Sequence, residues 1–191
     1  IAREKGGIIK KCTPVVVGEK NSNYNLVLEE IASDLRSEIT YAPEAFSLGE
    51  CGFEGDKQVV TMTRLRDGYP YQLRLDLLGE YQRQNLATVA TVLDILHEST
   101  PLSISRRAFV EGVRSVSQLT SFRGRWQVLS DKPLIICDTA HNEHGIAEVA
   151  KQLNERTNEG ELFCIMGFCE DKEFDKMLAL MPPSAHYIFT Q

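Results

Sequence analysis

The segment Asp138-Thr-Ala-His141-Asn142-Glu-His144 directly follows the apolar run 134–137 and precedes a helical pattern. In an open parallel sheet, ligands bind outside the carboxyl ends of the strands, so a site is expected at this position. A strand-end aspartate can accept a hydrogen bond from a ribose hydroxyl, and His141 and Asn142 can reach an anion held at the helix N-terminus. The competing interpretation is that Asp138 and Asn142 only cap the helix while His144 faces solvent.

The same three side chains also fit an Asp-x-x-His-x-x-His metal cluster, which is the basis of a metallohydrolase hypothesis. Residues three apart on a helix lie on one face, but a catalytic zinc site needs three protein ligands and an open position. No other histidine or glutamate is placed by comparable logic. The remaining histidines, His97 and His186, lie near a helix end and a strand start, and these positions indicate structural roles.

Two guanidinium groups, those of Arg123 and Arg125, flank Gly124 next to Trp126. Arginine binds phosphate oxygens in a bidentate manner, and nucleotides commonly bind in clefts between domains. The spacing fits a phosphate contact and a solvated basic turn equally well.

Two earlier segments place polar side chains near helix ends. In Tyr81-Gln-Arg-Gln-Asn85 the asparagine can hydrogen-bond a base, although local chemistry favours a capping role. Lys5 precedes Gly6 and Gly7, where a lysine near a helix C-terminus is electrostatically favourable without any function. The sequence contains no G-x-x-x-x-G-K-[ST], G-x-G-x-x-G or G-x-S-x-G motif, so these residues predict no complete triphosphate loop.

The elements that must position these residues fall into two regions. The first mixes short strands with helices, and the second alternates apolar strands with amphipathic helices. We expect the hairpin of the first region to be antiparallel and peripheral, and its last two helices to pair. The first region contains a strand at 14–17, a helix around 28–35, a strand at 39–42, a β-hairpin over 58–78 that turns at Asp67-Gly68, and helices over 86–96 and 109–116, the second capped by Ser103 or Ser105.

The second region follows a polar stretch, 117–125, and contains strands at 134–137, 162–166 and 187–189. Continuous apolar strands separated by amphipathic helices predict a parallel sheet with both faces covered, as in α/β proteins. The domain boundary is expected near 120–127. Because three strands are few for such a sheet and the chain opens inside a helical pattern, we expect a fragment of a longer polypeptide.

Composition excludes several classes of protein. With 42% hydrophobic and 25% charged residues, the 191-residue chain is typical of a globular protein. A formal net charge of −6 argues against nucleic acid and anionic membranes as partners. No apolar run approaches the roughly 20 residues needed to cross a bilayer, and no signal peptide is present, which predicts a cytoplasmic protein. Five cysteines without a C-x-x-C pair indicate buried, reduced thiols.

Four motifs, taken in order along the chain, resemble the Mur ligase superfamily, and most closely its folylpolyglutamate synthases and bifunctional dihydrofolate synthases. The match covers essentially the whole chain, and departures such as Leu86 for alanine and Arg123 for proline remove no functional side chain. The motifs are Glu4-Lys5-Gly-Gly-Ile-Ile-Lys for E-K-A-G-I-x-K, Gly79-Glu-Tyr-Gln-Arg-Gln-Asn85 for G-x-x-Q-x-x-N-A, Phe122-Arg-Gly-Arg125 for P-G-R and Asp138-Thr-Ala-His141-Asn142 for D-G-A-H-N, with Gly167 and Asp171-Lys172 echoing G-x-x-x-D-K-D.

The resemblance implies an α/β fold built from parts of two domains. Residues 1–124 would be the C-terminal part of the central ATPase domain, with the β-hairpin region and the helix pair. Residues 125–191 would be the N-terminal part of the C-terminal glutamate ligase domain, a truncated Rossmann-like parallel sheet. The family's phosphate loop, magnesium ligands and pteridine pocket would precede Ile1. We therefore expect no metal ligands within this stretch and no catalysis by it alone.

The resemblance also implies roles for five side chains. Lys5, carbamylated by CO₂, would help to position Mg²⁺ and, with His141 beside the nucleotide, would be a catalytic residue. The carbamylation needs a neutral amine, and thus an environment that lowers its pKa. In ATP binding, Asn85 would contact the adenine, Arg125 a phosphate and Asp138 the ribose.

The implied activity is an ATP-dependent ligase that uses ATP and Mg²⁺ to add L-glutamate to the γ-carboxylate of folate polyglutamates through an acyl phosphate. Whether dihydropteroate is also a substrate stays open. Small molecules would be the only partners, and a monomer is expected. The alternatives are another Mur-type amino-acid ligase acting on a cell-wall precursor, a metallohydrolase using Asp138, His141 and His144, and a non-catalytic α/β binding module.

Overall fold

The computed structural model describes residues 2–155, 160–167 and 174–190, so Cys169, Asp171 and Lys172 lie outside the described residues. The chain divides into two compact units. Unit 1 comprises Ile1–Asp76 and Gln82–Thr120, and unit 2 comprises Leu77–Tyr81 and Ser121–Gln191. Helices and strands alternate in both units, and both contain parallel strand pairs, so the predicted α/β class is confirmed. No helix within the described ranges has the length and apolar character needed to cross a bilayer.

Unit 1 combines a parallel strand pair with a three-stranded antiparallel sheet. β1 and β2 are parallel, and α2 makes the crossover between them, as parallel pairing requires. The antiparallel sheet has the order β3-β4-β5. The elements of unit 1 are α1 (Ala2–Gly6), β1 (Val15–Val17), α2 (Ser22–Asp34), β2 (Ile39–Tyr41), α3 (Ala42–Ala45), β3 (Phe46–Glu54), β4 (Lys57–Arg64), β5 (Tyr69–Leu75), α4 (Gln82–Ser99), α5 (Arg106–Arg114) and α6 (Val116–Thr120).

Local chemistry explains where these elements begin and turn. The Asn21 side chain accepts a hydrogen bond from the Asn23 backbone N–H and caps α2. Ser105 caps α5 by accepting from the Ala108 backbone N–H at 3.1 Å, which confirms one of the two predicted caps. The turn between β4 and β5 contains Gly68, which has a φ of 69°, where glycine is favoured.

The three-stranded sheet is the core of unit 1 rather than the peripheral hairpin that the sequence predicted. Val60, Met62 and Leu73 are at most 1% exposed and pack against Leu86 and Ala90 of α4. Alternate residues of a strand lie on one face, so β4 and β5 present a largely apolar face to the helices, which also includes the buried Gln58. Both expected helices are present, but the prediction that they pair with each other is wrong: α4 packs mainly on β3 and α3, and α5 packs mainly on β5, because the sheet offers each helix apolar surface.

Tyr41 makes a pH-dependent contribution to the stability of unit 1. Its side chain is buried, and its hydroxyl donates to Glu29 Oε1 at 2.6 Å. Burial, followed by this hydrogen bond and the charge of Glu29, raises the pKa of Tyr41 to about 12. The unfolded chain loses this proton near pH 10 while the folded chain retains it. The free energy of unfolding should therefore fall as pH rises from 10 to 12.

We expect the variant Tyr41→Phe to lose this part of the pH dependence. Urea unfolding at pH 9 and pH 11 should show a decrease in stability for the wild-type chain that exceeds that of Tyr41→Phe by on the order of 1 kcal/mol. Tyr24→Phe serves as the comparison variant: burial and then Glu19 also raise the pKa of Tyr24, but its hydroxyl makes only a 3.5 Å contact with the Glu19 carbonyl, so this variant should remove a smaller part of the pH dependence. Equal pH slopes for the wild-type chain and Tyr41→Phe would contradict the assignment.

Unit 2 contains two strand pairs and two helices in its described part. β6 and β7 are antiparallel, and β8 and β9 are parallel. The predicted strands at 134–137, 162–166 and 187–189 are therefore all present, but the first pairs with the unpredicted β6 and not with the second. The elements of unit 2 are β6 (Gln127–Asp131), β7 (Leu134–Cys137), α7 (Glu143–Asn154), β8 (Phe163–Gly167), α8 (Phe174–Leu180) and β9 (His186–Thr190).

One face of the β8-β9 pair is covered by helices, and the other is exposed in the described residues. The covered face contributes Cys164 to a core with Ile146 and Ala150 of α7 and with Met177 of α8. Burial raises the pKa of the Cys164 thiol and keeps it neutral. On the other face Ile165 is 73% exposed, so the expected cover on both faces is wrong for this part of the sheet. The expected burial of the cysteines holds for Cys164 alone among the described residues, since Cys51 and Cys137 are half-buried and Cys12 is exposed.

Candidate functional site

Two of the predicted motifs meet within unit 2. The turn at 124–126 is hydrogen-bonded to the segment 138–140, which follows β7. The Thr139 backbone N–H donates to the Gly124 carbonyl at 2.9 Å, and the Thr139 hydroxyl donates to the same oxygen at 3.0 Å. The Trp126 backbone N–H donates to Asp138 Oδ2 at 2.7 Å. Nothing in the sequence indicates that these two segments are directly bonded.

Gly124 allows this close approach. Its φ is 75°, and a Cβ atom there would lie 2.5 Å from Thr139 Cγ2, a distance that side chains do not tolerate. Glycine adopts this left-handed backbone without steric cost. Trp126 also has a left-handed backbone, with φ of 48°, although its side chain is only 2% exposed. A non-glycine residue held in this region is strained, and such residues cluster at functional sites.

Asp138 accepts three hydrogen bonds and has capacity for one more. Oδ2 accepts from the Trp126 backbone N–H and from the Tyr81 hydroxyl, the latter at 2.8 Å. Oδ1 accepts from the Ala140 backbone N–H at 2.8 Å. A carboxylate has about four acceptor positions, so one remains, on Oδ1. The side chain therefore does not merely cap α7, since its bonds go to Tyr81, Trp126 and Ala140.

Tyr81 is a residue of this site that sequence reasoning missed. It belongs to the segment Leu77–Tyr81, which is part of unit 2 although unit 1 surrounds it in the sequence. Only Asn85 was predicted as a site residue of this motif. No sequence pattern links Tyr81 to Asp138, because the contact depends on how the segment Leu77–Tyr81 folds onto unit 2.

The Arg125 guanidinium lies beside the same junction. Nη1 donates to the Gly124 carbonyl at 3.2 Å and also contacts the Thr139 hydroxyl. The charged group stands 5.7 Å from the centre of the Phe122 ring, within the range of a cation–π contact. A guanidinium has five N–H donors, so most of them remain for an anion. No carboxylate pairs with Arg125 in the part of the chain that the structure describes.

The first turn of α7 contains the remaining polar residues of the motif. Asn142 Oδ1 accepts from the Gly145 backbone N–H at 2.8 Å, so Asn142 is the helix cap that the competing interpretation required. His141 is exposed, and its Nδ1 lies 3.0 Å from the Thr139 carbonyl. Because a carbonyl only accepts, Nδ1 donates and Nε2 remains available to another group. His144 is exposed.

The metal cluster of the metallohydrolase hypothesis is not formed. Across residues 2–155, 160–167 and 174–190, no three His, Cys, Asp or Glu side chains are grouped as a metal ion would require. The Asp138 carboxylate is instead hydrogen-bonded to Tyr81, Trp126 and Ala140.

The two predicted site residues of unit 1 are both exposed. Asn85 lies in the first turn of α4, where its amide donates to Gln82 Oε1 at 2.9 Å. Lys5 lies in α1, and its ammonium has neither a hydrogen bond nor an ion pair with any described residue. The structure leaves the roles assigned to these two residues as predictions.

Unit 1 also contains a cavity of about 350 Å³ between the sheet and helices α4 and α5. None of the five predicted site residues lines it. Its Arg64 is held by Asp67 at 2.6 Å and by Asp94 at 3.3 Å, and Arg66 is held by Asp94 and Glu98. Arg64 and Arg66 are thus neutralised within the protein, whereas the third arginine of the lining, Arg106, stands 4.0 Å from the centre of the Tyr69 ring and has no ion pair with a described residue.

Comparison with known proteins identifies the second region of the chain. The family model described as "Mur ligase, glutamate ligase domain" matches residues 124–191. The similarity to this Mur ligase domain therefore lies in the second region of the chain. The matched stretch begins at Gly124 and thus contains both hydrogen-bonded segments, 124–126 and 138–140. We call these two segments the Arg125–Asp138 junction.

Individual relatives extend the similarity beyond the Mur ligase domain. Folylpolyglutamate synthase of Lacticaseibacillus casei is 27% identical over 177 residues, which are 93% of this chain and 40% of the relative. A probable dihydrofolate synthetase of Schizosaccharomyces pombe is 33% identical over 162 residues, 83% of this chain and 36% of the relative. A solved FPGS-AMPPCP-folate complex superposes with a TM-score of 0.84 at 25% identity, covering 98% of this chain and 44% of that one.

The resemblance to folylpolyglutamate and dihydrofolate synthases is therefore confirmed. The chain spans about two fifths of the length of these relatives. Both relatives are named as folate synthases, which favours the folate ligase hypothesis over a cell-wall ligase or a non-catalytic binding module.

Proposed function

We propose that this chain is part of an ATP-dependent folate–glutamate ligase, and that its Arg125–Asp138 junction holds the nucleotide. The observation that supports this most strongly is the junction itself. Asp138 has one free acceptor position. The half-buried Arg125 has no carboxylate partner among the described residues, and it lies on a segment that is hydrogen-bonded directly to the segment of Asp138. An acceptor beside a cation matches a ribose hydroxyl beside a phosphate. The named relatives, which include an AMPPCP complex, support the same nucleotide.

The proposed reaction has two steps that balance without a redox partner. A terminal carboxylate of the folate attacks the γ-phosphorus of ATP, giving an acyl phosphate and ADP. The neutral amine of L-glutamate then attacks the acyl carbon, an amide bond forms, phosphate leaves, and the amine loses a proton. Such a transfer depends mainly on positioning and on neutralising the phosphate charge.

The chain's own residues would contribute to positioning and charge. Asp138 would accept from a ribose hydroxyl, and Arg125 would donate to a phosphate oxygen. His141, with Nδ1 bonded to a carbonyl, would present Nε2 toward the same nucleotide. Asn85 as the adenine contact and Lys5 as a carbamylated residue are carried over from the resemblance alone.

Magnesium is handled differently from ATP in this proposal. The described residues form no group of three metal-ligating side chains, and Lys5 is exposed. Mg²⁺ enters the proposal through the resemblance alone, where it would neutralise phosphate charge with ligands outside the described residues.

Grafting tests the proposed activity. The 191 residues would replace the matched segment of the Lacticaseibacillus casei folylpolyglutamate synthase, and ATP-dependent transfer of labelled glutamate to a folate would be measured. We expect the graft to retain transfer, with dihydropteroate tested as a second acceptor. Failure of a folded, nucleotide-binding graft to add glutamate to either acceptor would contradict the proposed function.

Arg125→Ala in this graft should lower kcat/KM for ATP by about 10- to 100-fold, because a charge-assisted bond to a phosphate contributes about 1.5–3 kcal/mol. Arg123→Ala is the matched control. It removes an exposed arginine two residues away that makes no side-chain hydrogen bond or ion pair with a described residue, and it should change kcat/KM by less than about twofold. Equal losses for both variants would show that Arg125 has no specific role.

A further inference from the structure

We infer that Tyr81 is a positioning residue that orients the Asp138 carboxylate for a ribose hydroxyl, an inference that rests on the proposed nucleotide site. The Tyr81 hydroxyl donates to Asp138 Oδ2 at 2.8 Å, on the same oxygen that accepts from the Trp126 backbone N–H. Two donors on Oδ2 and one on Oδ1 fix the plane of the carboxylate. The free acceptor position is thereby held on Oδ1.

The Tyr81 ring reaches Asp138 because it lies directly over Gly79. An ideal Cβ at Gly79 would be 2.6 and 2.7 Å from two ring carbons of Tyr81 and 3.1 Å from its hydroxyl oxygen. Any side chain at residue 79 would therefore push the ring, and the hydroxyl with it, away from this position. The absence of a Cβ at Gly79 is a requirement of the Tyr81–Asp138 bond.

The backbone on both sides of Gly79 is held by one side chain of α7. Gln152 is 3% exposed. Its Nε2 donates to the Leu78 carbonyl at 3.1 Å, and its Oε1 accepts from the Glu80 backbone N–H at 3.1 Å. Both ends of the buried Gln152 amide are thus hydrogen-bonded. These two bonds, in addition to packing, fix the segment 78–80 to α7.

The result is a continuous set of hydrogen bonds from α7 to the carboxylate. Gln152 fixes the segment 78–80, Gly79 leaves room for the Tyr81 ring, and Tyr81 fixes Asp138. A phenylalanine at residue 81 would keep the ring and lose only the hydroxyl. Only the Trp126 and Ala140 backbone N–H groups would then hold the carboxylate, one on each oxygen, so its plane would be less tightly fixed and the ribose contact should lose its geometric advantage.

The test uses the 191-residue chain and two measurements. In the first, affinities for ATP, 2′-deoxy-ATP and 3′-deoxy-ATP are compared by nitrogen-15 NMR titration. The wild-type chain should bind at least one deoxy nucleotide about tenfold more weakly than ATP, as expected for loss of a bond to a charged group. In Tyr81→Phe and Gly79→Ala that ratio should fall to near one.

The second measurement needs no nucleotide. Hydrogen exchange of the Trp126 and Ala140 amides, both bonded to Asp138, should accelerate by about tenfold in Tyr81→Phe while amides of β4 exchange at unchanged rates. Tyr187→Phe is the matched control, because it removes another tyrosine hydroxyl of unit 2, which donates to the Pro182 carbonyl at 2.5 Å. It should alter neither the ratio nor these exchange rates.

The outcomes separate this inference from the proposed function. Unchanged exchange in Tyr81→Phe overturns the positioning role, as does a retained preference for the ribose hydroxyl. A wild-type chain that binds ATP without distinguishing the deoxy nucleotides also overturns it. A wild-type chain that binds no nucleotide contradicts the proposed site, and the exchange rates still decide whether Tyr81 orients Asp138.

Discussion

Gly124→Ala should destabilise unit 2 by roughly 2–4 kcal/mol, because the added methyl group meets both an unfavourable backbone conformation and a close neighbour. A left-handed backbone costs a residue with a Cβ about 1–2 kcal/mol, and the φ of Gly124 is 75°. The added carbon would also lie 2.5 Å from Thr139 Cγ2, and relieving such overlap costs about 1–3 kcal/mol. The single tryptophan of the chain, Trp126, is buried two residues away, so its fluorescence follows unfolding at this point.

A second substitution separates the two costs. Thr139→Ser removes Cγ2 and keeps the hydroxyl that bonds to Gly124. Gly124→Ala combined with Thr139→Ser should therefore recover the part of the lost stability that comes from overlap with Cγ2. Gly112→Ala is the control, because Gly112 lies in α5 with no atom near its missing Cβ and alanine is the better helix former. A Gly124→Ala chain that unfolds at the wild-type denaturant concentration would contradict the described junction.

Asp138→Asn should affect both stability and nucleotide binding. An amide has one oxygen and one NH₂ group, whereas Asp138 accepts on both oxygens. Whichever way the amide turns, its NH₂ faces at least one N–H or O–H donor. Leaving such a donor unpaired costs about 1–3 kcal/mol, and the lost charge weakens the other bonds, so we expect a total of about 2–4 kcal/mol.

The same variant should bind nucleotide at least about tenfold more weakly, because the acceptor for the ribose is lost. Asp131→Asn is the matched control: Asp131 lies at the end of β6, is exposed, and makes no side-chain hydrogen bond with a described residue. It should change the free energy of unfolding by no more than about 0.5 kcal/mol. Equal effects of the two substitutions on both measurements would remove Asp138 from the site.

The sequence predicted the elements whose patterns are strong. The strands at Leu134–Cys137 and Phe163–Gly167 are short continuous apolar runs, and the hairpin at Gly68 joins two alternating strands. The caps at Ser105 and Asn142 follow from side chains that accept from a backbone N–H three residues on. In these cases local chemistry alone decides the conformation.

Two strands were missed because their sequences lack a periodic apolar face. β3 includes Gly49 and Gly52, has a bulge between Leu48 and Cys51, and is mostly exposed. β6 is a polar strand next to the predicted boundary, and it takes β7 as its partner. Strand pairing depends on which edge is available after the chain has folded, and no residue pattern within β7 specifies that edge.

The candidate site was predicted as separate motifs, not as an assembly. Arg125 and Asp138 were identified from their residue types and positions, but the hydrogen bonds that join them pass through backbone groups of Gly124, Trp126 and Thr139. Tyr81 and Gln152 are remote in sequence from Asp138, and their contacts depend on the tertiary structure of unit 2. Single-sequence patterns hold no information on such distant pairs.

The most direct measurement of nucleotide binding is a nitrogen-15 NMR titration of the 191-residue chain with AMPPCP. Concentrations up to about 10 mM allow a Kd in the millimolar range to be detected. We predict saturable shifts of the backbone amides in 124–126 and 138–142, absent in Asp138→Asn and unchanged in Asp131→Asn, with no shifts in β4. Saturable shifts confined to the cavity of unit 1, or no shifts in 124–126 and 138–142 at any concentration, would contradict nucleotide binding at the Arg125–Asp138 junction.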